Sequence, residues 1–368
     1  MQLPLKDIKT PAYIADKKRI KENLATAAYI KEKTGCKILL ATKSFSMFSI
    51  FDEFAKTLDG TTASGYYEAK LGHDHFAGEV HAYSPAFTDD EIASLKDICT
   101  HISFNSVKQL EKYGHNFSIR GLRVNPRLSL VKNSTMYDPS AENSRFGIKA
   151  SELTDNILEK INLIHVHNLC ENLADDSVSL INHIMQIMPK ALDKVEYINL
   201  GGGHYINHPD YDVEKLIDSI NKIQKKHNIT AIIEPGGALV YEGGCLVSTV
   251  LDVSGGFVIL DTSATCHMPD VLEVPYRPNV MGDKADGKYS YTLTGKTCLT
   301  GDIIGDYRFD RPLKEGDKVI FTCMMQYTMV KNTSFNGLPL PDIGILEEDG
   351  SYRLVKTFGY KDFEGRLS

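Results

Sequence analysis

The sequence predicts an α/β chain: a (β/α)8 TIM-like barrel followed by an antiparallel β-sandwich or β-barrel domain. Two observations predict it. From residue 10 to residue 237, eight short apolar runs alternate with helical patterns, as in a parallel sheet covered by helices. After Glu234 the texture changes to strands separated by Gly, Pro and Asp turns, with no helical pattern between them. The boundary falls at 237/238. Residues 1–9 go with the second domain, and the last segment is free to return to the barrel. An open doubly wound sheet is the competing architecture, although it usually has fewer strands.

The barrel strands are expected at 37–42, 59–63, 79–84, 101–104, 119–125, 162–167, 196–200 and 231–234. Two intervening helices are clear from their apolar spacing. In 17–33, Ile20, Leu24, Ala27 and Ala28 share one face, with Asp16 placed to cap the N-terminus. In 213–227, Val213, Leu216, Ile217, Ile220 and Ile223 do the same. The second domain is expected to hold strands at 245–253, 256–261, 288–293, 318–324 and 352–357.

With 368 residues, 42% hydrophobic and 24% charged, the chain can bury roughly three quarters of its unfolded surface. That excludes disorder and coiled coil as its main organisation. The net charge of −7 and the lack of a basic segment argue against nucleic acid as a partner. A mildly acidic field suits a cationic small molecule. The seven cysteines form no CxxC pair, so reduced thiols and a cytoplasmic location are expected. No apolar run approaches the ~18 residues of a membrane span, and the opening MQLPLKDIKTPAYI does not read as a signal peptide.

Active sites of such barrels sit at the C-terminal ends of the strands, and several chemical groups fall there. Lys43 follows KILLAT among small and apolar neighbours. It reads either as a solvated lysine or as a desolvated amine able to form a Schiff base with an aldehyde cofactor. Asn168, a candidate cofactor contact, follows LIHVH. Gly201, Gly202 and Gly203 follow YINL, and Gly236 and Gly237 follow Glu234. Two glycine turns at neighbouring strand ends suit a phosphate cradle or two tight turns. Glu234, in an apolar run, needs a partner: a pyridinium nitrogen or a basic side chain. His165 and His167 share a strand face. The other His-x-His, at His73 and His75, lies beside a helical pattern, and no HExxH motif occurs, so no metal is expected. Cys298 lies in the loop GKTCLTGDIIGD beside Asp302 and Asp306.

The ordered set TPAYIAD, ATKSF, TASGYYEA, RVNPR, SRFGI, HVHNLCEN, NLGGGH, EPGGA, GKTCLTGD and QYTMVKNTSFNG resembles the fold-type III pyridoxal-phosphate decarboxylases, the alanine-racemase-like barrels. The segments HVHNLCEN, CHMPDVLEVPYRP and CLTGDIIGDY resemble the branch that acts on carboxylated polyamines. The resemblance implies pyridoxal 5′-phosphate as cofactor, held by Lys43 as the Schiff-base lysine. It also implies His165 stacked on the ring, Glu234 at the pyridine nitrogen, Gly201–Gly203 and Gly236 at the phosphate, and Tyr327 near phosphate or substrate. It implies a homodimer with shared sites, in which Cys298 reaches in from the partner subunit to act near the substrate Cα. For a long cationic substrate, Asp270 and Glu273 are the candidate anions, with Asp302 and Asp306 behind them. Three differences from the ornithine-specific members fall at Thr61, Gly237 and Leu299, and the last two argue against ornithine as substrate. Decarboxylation of another basic amino acid (diaminopimelate, lysine, arginine or ornithine) on the same fold is the alternative, and a non-enzymatic cofactor carrier is a further one.

Overall fold

The computed structural model describes residues 3–131 and 135–368. The chain divides into two compact units, one spanning Asn23–Leu239 and the other combining the residues up to Glu22 with Val240–Ser368.

The first unit is a closed parallel barrel of eight strands: Lys37–Ala41, Gly60–Ala63, Glu79–Tyr83, His101–Phe104, Ile119–Asn125, Leu163–His165, Tyr197–Asn199 and Thr230–Ile233. Each pairs in parallel with the next, and the eighth closes on the first. All eight coincide with the expected apolar runs: five are a little shorter, one is shifted by a residue, and 101–104 and 119–125 match. The strands are short because parallel strands buried on both faces need only span the barrel wall. Leu39, Leu163 and Ile232 pack together inside, with Tyr197 against them. Above them, Arg123 on the fifth strand, His165 on the sixth and Asn199 on the seventh stand side by side in register. In parallel strands, residues in register point to the same face, so three polar side chains form one inward layer near the C-terminal rim.

The helices follow local rules. Val213–His227 starts where Asp212 accepts the Lys215 N–H and stops at Asn228 in the left-handed region. Asp89–Leu95 carries a capping box of Thr88 and Glu91. Lys17–Thr34 forms where its apolar spacing placed it, and Asp16 accepts the Arg19 N–H.

The second unit is an eight-stranded sheet. Its hub is the long strand Gly244–Ser254, which pairs antiparallel with Ala12–Asp16, with Lys318–Thr322 and with Phe257–Leu260. The sheet is mixed rather than wholly antiparallel. Ala12–Asp16 runs parallel to Asp342–Leu346, and Phe257–Leu260 runs parallel to Tyr289–Thr294. The strands Ala12–Asp16, Ile303–Phe309 and Asp342–Leu346 were not among those expected for this domain. Residues 10–22 were read with the barrel, yet Ala12–Asp16 is an interior strand of the sheet, between Gly244–Ser254 and Asp342–Leu346. Its core holds Ile8, Ala12, Ile14, Cys245, Val247, Ile320 and Leu346.

Candidate active site

At the C-terminal rim of the barrel the chain gathers one amine, one carboxylate and two imidazoles. Lys43 lies on the turn after the first strand. Its Nζ stands 3.4 Å from His167 Nε2. Burial pulls the Lys43 amine below its ordinary value, and Arg123 adds to that while Glu234 opposes it. Glu234 follows the eighth strand and is buried. Asn199 Nδ2 donates to its Oε1 at 2.6 Å, and His165 Nε2 faces its Oε2 at 3.7 Å. Burial opposes the charge on Glu234. The neighbouring His165 and the bond from Asn199 outweigh it, and the carboxyl sits below its ordinary value. Burial pushes His165 down to about 4, so its ring is neutral at pH 7. Both ring nitrogens of His165 are buried without a hydrogen-bond partner among the described residues.

The glycine turn is tied to these groups. Gly201 N–H donates to Asn199 Oδ1 and Gly202 N–H to His167 Nδ1, each at 2.8 Å. Both were expected at a phosphate, but their N–H groups already have acceptors. Gly203 adopts φ 88°, and a Cβ there would meet the Leu169 carbonyl oxygen at 2.1 Å. A Cβ on Gly236 would meet Ser44 Oγ, also at 2.1 Å. At both positions neighbouring protein atoms already stand where a side chain would go, so the close approach of the two segments requires glycine. Asn168 was also expected to bind the cofactor. Its carboxamide is instead held within the barrel unit, accepting from Ser140 Oγ and donating to the Leu128 carbonyl. Arg123, which the sequence reading left without a role, donates to the His167 carbonyl at 2.8 Å and lies over the Tyr83 and Phe146 rings.

The remaining candidates lie in the sheet unit. Cys298 is exposed, and its N–H donates to Asn336 Oδ1 at 2.8 Å. Tyr327 is partly exposed, with φ 56°. Asp270 and Glu273 flank the single helical turn Asp270–Glu273, and both pair with Lys331. Asp306 is exposed and accepts from Thr292 Oγ1 at 2.6 Å. Asp302 departs from its expected role. It is buried, and its oxygens accept from Ser263 Oγ, the Ala264 N–H and both the N–H and hydroxyl of Thr297. A carboxylate so engaged braces the loop that carries Cys298 rather than facing a substrate.

A profile of the pyridoxal-dependent decarboxylases, C-terminal sheet domain, matches residues 12–325. The chain belongs to this family. It is 36% identical to a carboxynorspermidine/carboxyspermidine decarboxylase of Campylobacter jejuni, covering 98% of each chain. It is 37% identical to a carboxyaminopropylagmatine decarboxylase of Synechocystis, covering 99% of this chain and 96% of that one. A crystal structure of carboxynorspermidine decarboxylase from Campylobacter jejuni, complexed with norspermidine, superposes with a TM-score of 0.92 at 36% identity, over 98% of this chain and 100% of that one.

The barrel rim fits the family's cofactor. A buried amine, a buried carboxylate and an imidazole with both nitrogens unsatisfied form a polar group that the protein alone does not complete. Lys43, Glu234 and His165 would hold pyridoxal phosphate. His165, His167 and Glu234 also place their donor atoms within 4.8 Å of one another. His167 Nδ1 is spent on Gly202, however, and its Nε2 faces an amine. A second trio of potential ligands, Glu79, His81 and His101, sits lower in the barrel. There Lys37 pairs with Glu79, and the two imidazoles stack at 3.8 Å and 16°. Lone pairs in stacked parallel rings do not converge on one ion.

Proposed function

We propose that the protein decarboxylates a carboxylated linear polyamine, carboxynorspermidine or carboxyspermidine, releasing norspermidine or spermidine. The reading rests on one coincidence. The buried Lys43–Glu234–His165 group sits in a chain that is alike, over nearly its full length, to an enzyme whose structure holds norspermidine. When bound, pyridoxal phosphate supplies the electron sink for the bond broken to carbon dioxide. The chain's own residues do the rest. Lys43 offers a desolvated amine as the point of attachment. Glu234, ionised at neutral pH, is the anion set against a cationic ring nitrogen. His165, neutral, offers a flat ring face. Cys298, contributed across a homodimer interface, delivers a proton to Cα.

The substrate's distal ammonium groups need anions. Asp270 and Glu273 carry two negative charges against the one positive charge of Lys331, which leaves a net negative patch for an ammonium group. A second reading has specific support, because the agmatine-derived relative is equally similar. Its substrate class also joins a carboxylated end to a cationic one.

The first test is the visible spectrum of the purified protein, before and after borohydride, with Lys43→Ala beside it. A Schiff-base band that borohydride bleaches, absent from the variant, supports the reading. A wild-type protein that stays colourless with added cofactor overturns it. A panel of carboxynorspermidine, carboxyspermidine, carboxyaminopropylagmatine, diaminopimelate, lysine, arginine and ornithine then ranks substrates by kcat/KM. Activity confined to the last four would remove the polyamine assignment.

A further inference from the structure

His167 makes two contacts whose chemistry is not independent. A backbone N–H can only donate, so the Gly202 N–H at 2.8 Å requires an unprotonated Nδ1 on His167. A neutral imidazole with a bare Nδ1 carries its proton on Nε2. That Nε2 is the atom 3.4 Å from Lys43 Nζ. If Lys43 were an ammonium, two donors would face each other. If His167 were an imidazolium, the Gly202 N–H would lose its acceptor. The contacts are satisfied together in one state only: Nε2–H donates into the lone pair of an uncharged Lys43 amine.

We infer that His167 is a positioning residue that, locked in its Nε2–H form by Gly202, holds the Lys43 amine unprotonated and aimed along the His167 ring plane. An unprotonated amine is the form that can attack a carbonyl carbon. The protein thus carries Lys43 in its reactive form before any aldehyde arrives, and restores that form when the lysine is released. The inference deepens the proposed function and rests on Lys43 being the amine that takes the cofactor.

The surroundings work the same way. Glu234, Glu68 and Cys170 face Lys43 on the side of its charge, while burial and Arg123 oppose it. Glu68 is already engaged, accepting from Thr42 Oγ1 and the Ser64 N–H. Around His167, burial first and the charged Arg123 beside it disfavour an imidazolium. Arg123 also donates to the His167 carbonyl, so one cation fixes the backbone of the residue whose ring it keeps neutral.

The test needs no turnover. Competitive acetylation of the full chain freed of cofactor, followed peptide by peptide across a pH series, gives the midpoint at which Lys43 becomes reactive. The wild type is expected to titrate below the ~10.4 of a free lysine. His167→Asn keeps an oxygen to accept the Gly202 N–H but lacks the ring nitrogen at Lys43, and its midpoint should rise by about one pH unit. Coincident midpoints in a folded variant would overturn the inference. A second measurement covers a variant that fails to fold. The imidazole ¹⁵N spectrum of the wild type should show His167 protonated at Nε2 and bare at Nδ1 between roughly pH 6 and 8. A proton on Nδ1 would overturn the inference without any variant. Borohydride trapping with added pyridoxal phosphate is read separately. Loss of trapping with the midpoint shift intact would sink the proposed function and leave the tautomer lock standing.

Discussion

Lys43 and Glu234 are a base and an acid at the same barrel rim, yet they do not form an ion pair. Lys43 meets His167, while Glu234 meets Asn199 and faces His165. The imidazoles separate a base that must be neutral from an acid that must be charged. Removing the charge on Glu234 tests its half of the arrangement. Glu234→Gln keeps the shape and the Asn199 contact and should lower kcat roughly 100-fold or more, with a smaller change in KM, in steady-state assays of the reconstituted enzyme. An unchanged kcat would take Glu234 out of the chemistry. The sequence made Lys43 and Glu234 legible because a lone charge in an apolar run at a strand end is conspicuous. Asn168 shows the limit of that signal. It also follows a barrel strand, but its partners are Ser140 and Leu128, residues that adjacency along the chain does not reveal. His167 was hidden for the same reason. Its tautomer is set by Gly202, 35 residues away.

At the scale of elements, the loop bearing Cys298 is built on Asp302. That carboxylate gathers donors from the turn at Ser263 and from Thr297, so it joins a helix start to a loop with one side chain. Asp302→Ala leaves those buried donors without an acceptor. It should cost about 3 kcal/mol, lowering Tm by roughly 6–12 °C in a thermal scan. Labelling of Cys298 by a thiol reagent should quicken, and unaltered Tm and labelling would show the loop to be braced elsewhere. Asp270 makes a different case, because it shares Lys331 with Glu273. Asp270→Asn should raise KM for a polyamine substrate with little effect on kcat, and an unchanged KM would remove Asp270 from the substrate site. Barrel strands were readable because each is an apolar run between helical patterns. The strand Ala12–Asp16 reads the same way, as a run leading into the helix Lys17–Thr34. Only its partners, Gly244–Ser254 and Asp342–Leu346, put it in the other unit.

Across the whole molecule, buried imidazoles set the response to acid. Burial holds His165, His204 and His267 down to about 4, and His101 to about 3. Unfolding returns each to about 6.5. Between about 6.5 and 4 the unfolded chain therefore binds protons that the native chain does not, and stability falls as pH falls through that window. Glu79, held at about 2, and Glu234 contribute with the same sign below about 4.5. His167 is held well below its ordinary value by burial too, so calorimetric scans should show Tm dropping steeply below pH 6.5, with up to about five protons taken up on unfolding near pH 5. A flat Tm across that range would show these imidazoles to be solvated in the native state.

The placement of Ala12–Asp16 also orders events in time. It leaves the ribosome before every barrel strand, yet its antiparallel partner begins at Gly244 and its parallel partner at Asp342. At synthesis rates of about 5–20 residues per second, some 10–50 s pass before the first partner emerges. All eight barrel strands are made in that interval. A strand translated ahead of the whole barrel is thus paired only after it, and the nascent chain must carry AYIA, a short apolar segment, unpartnered while all eight barrel strands are made.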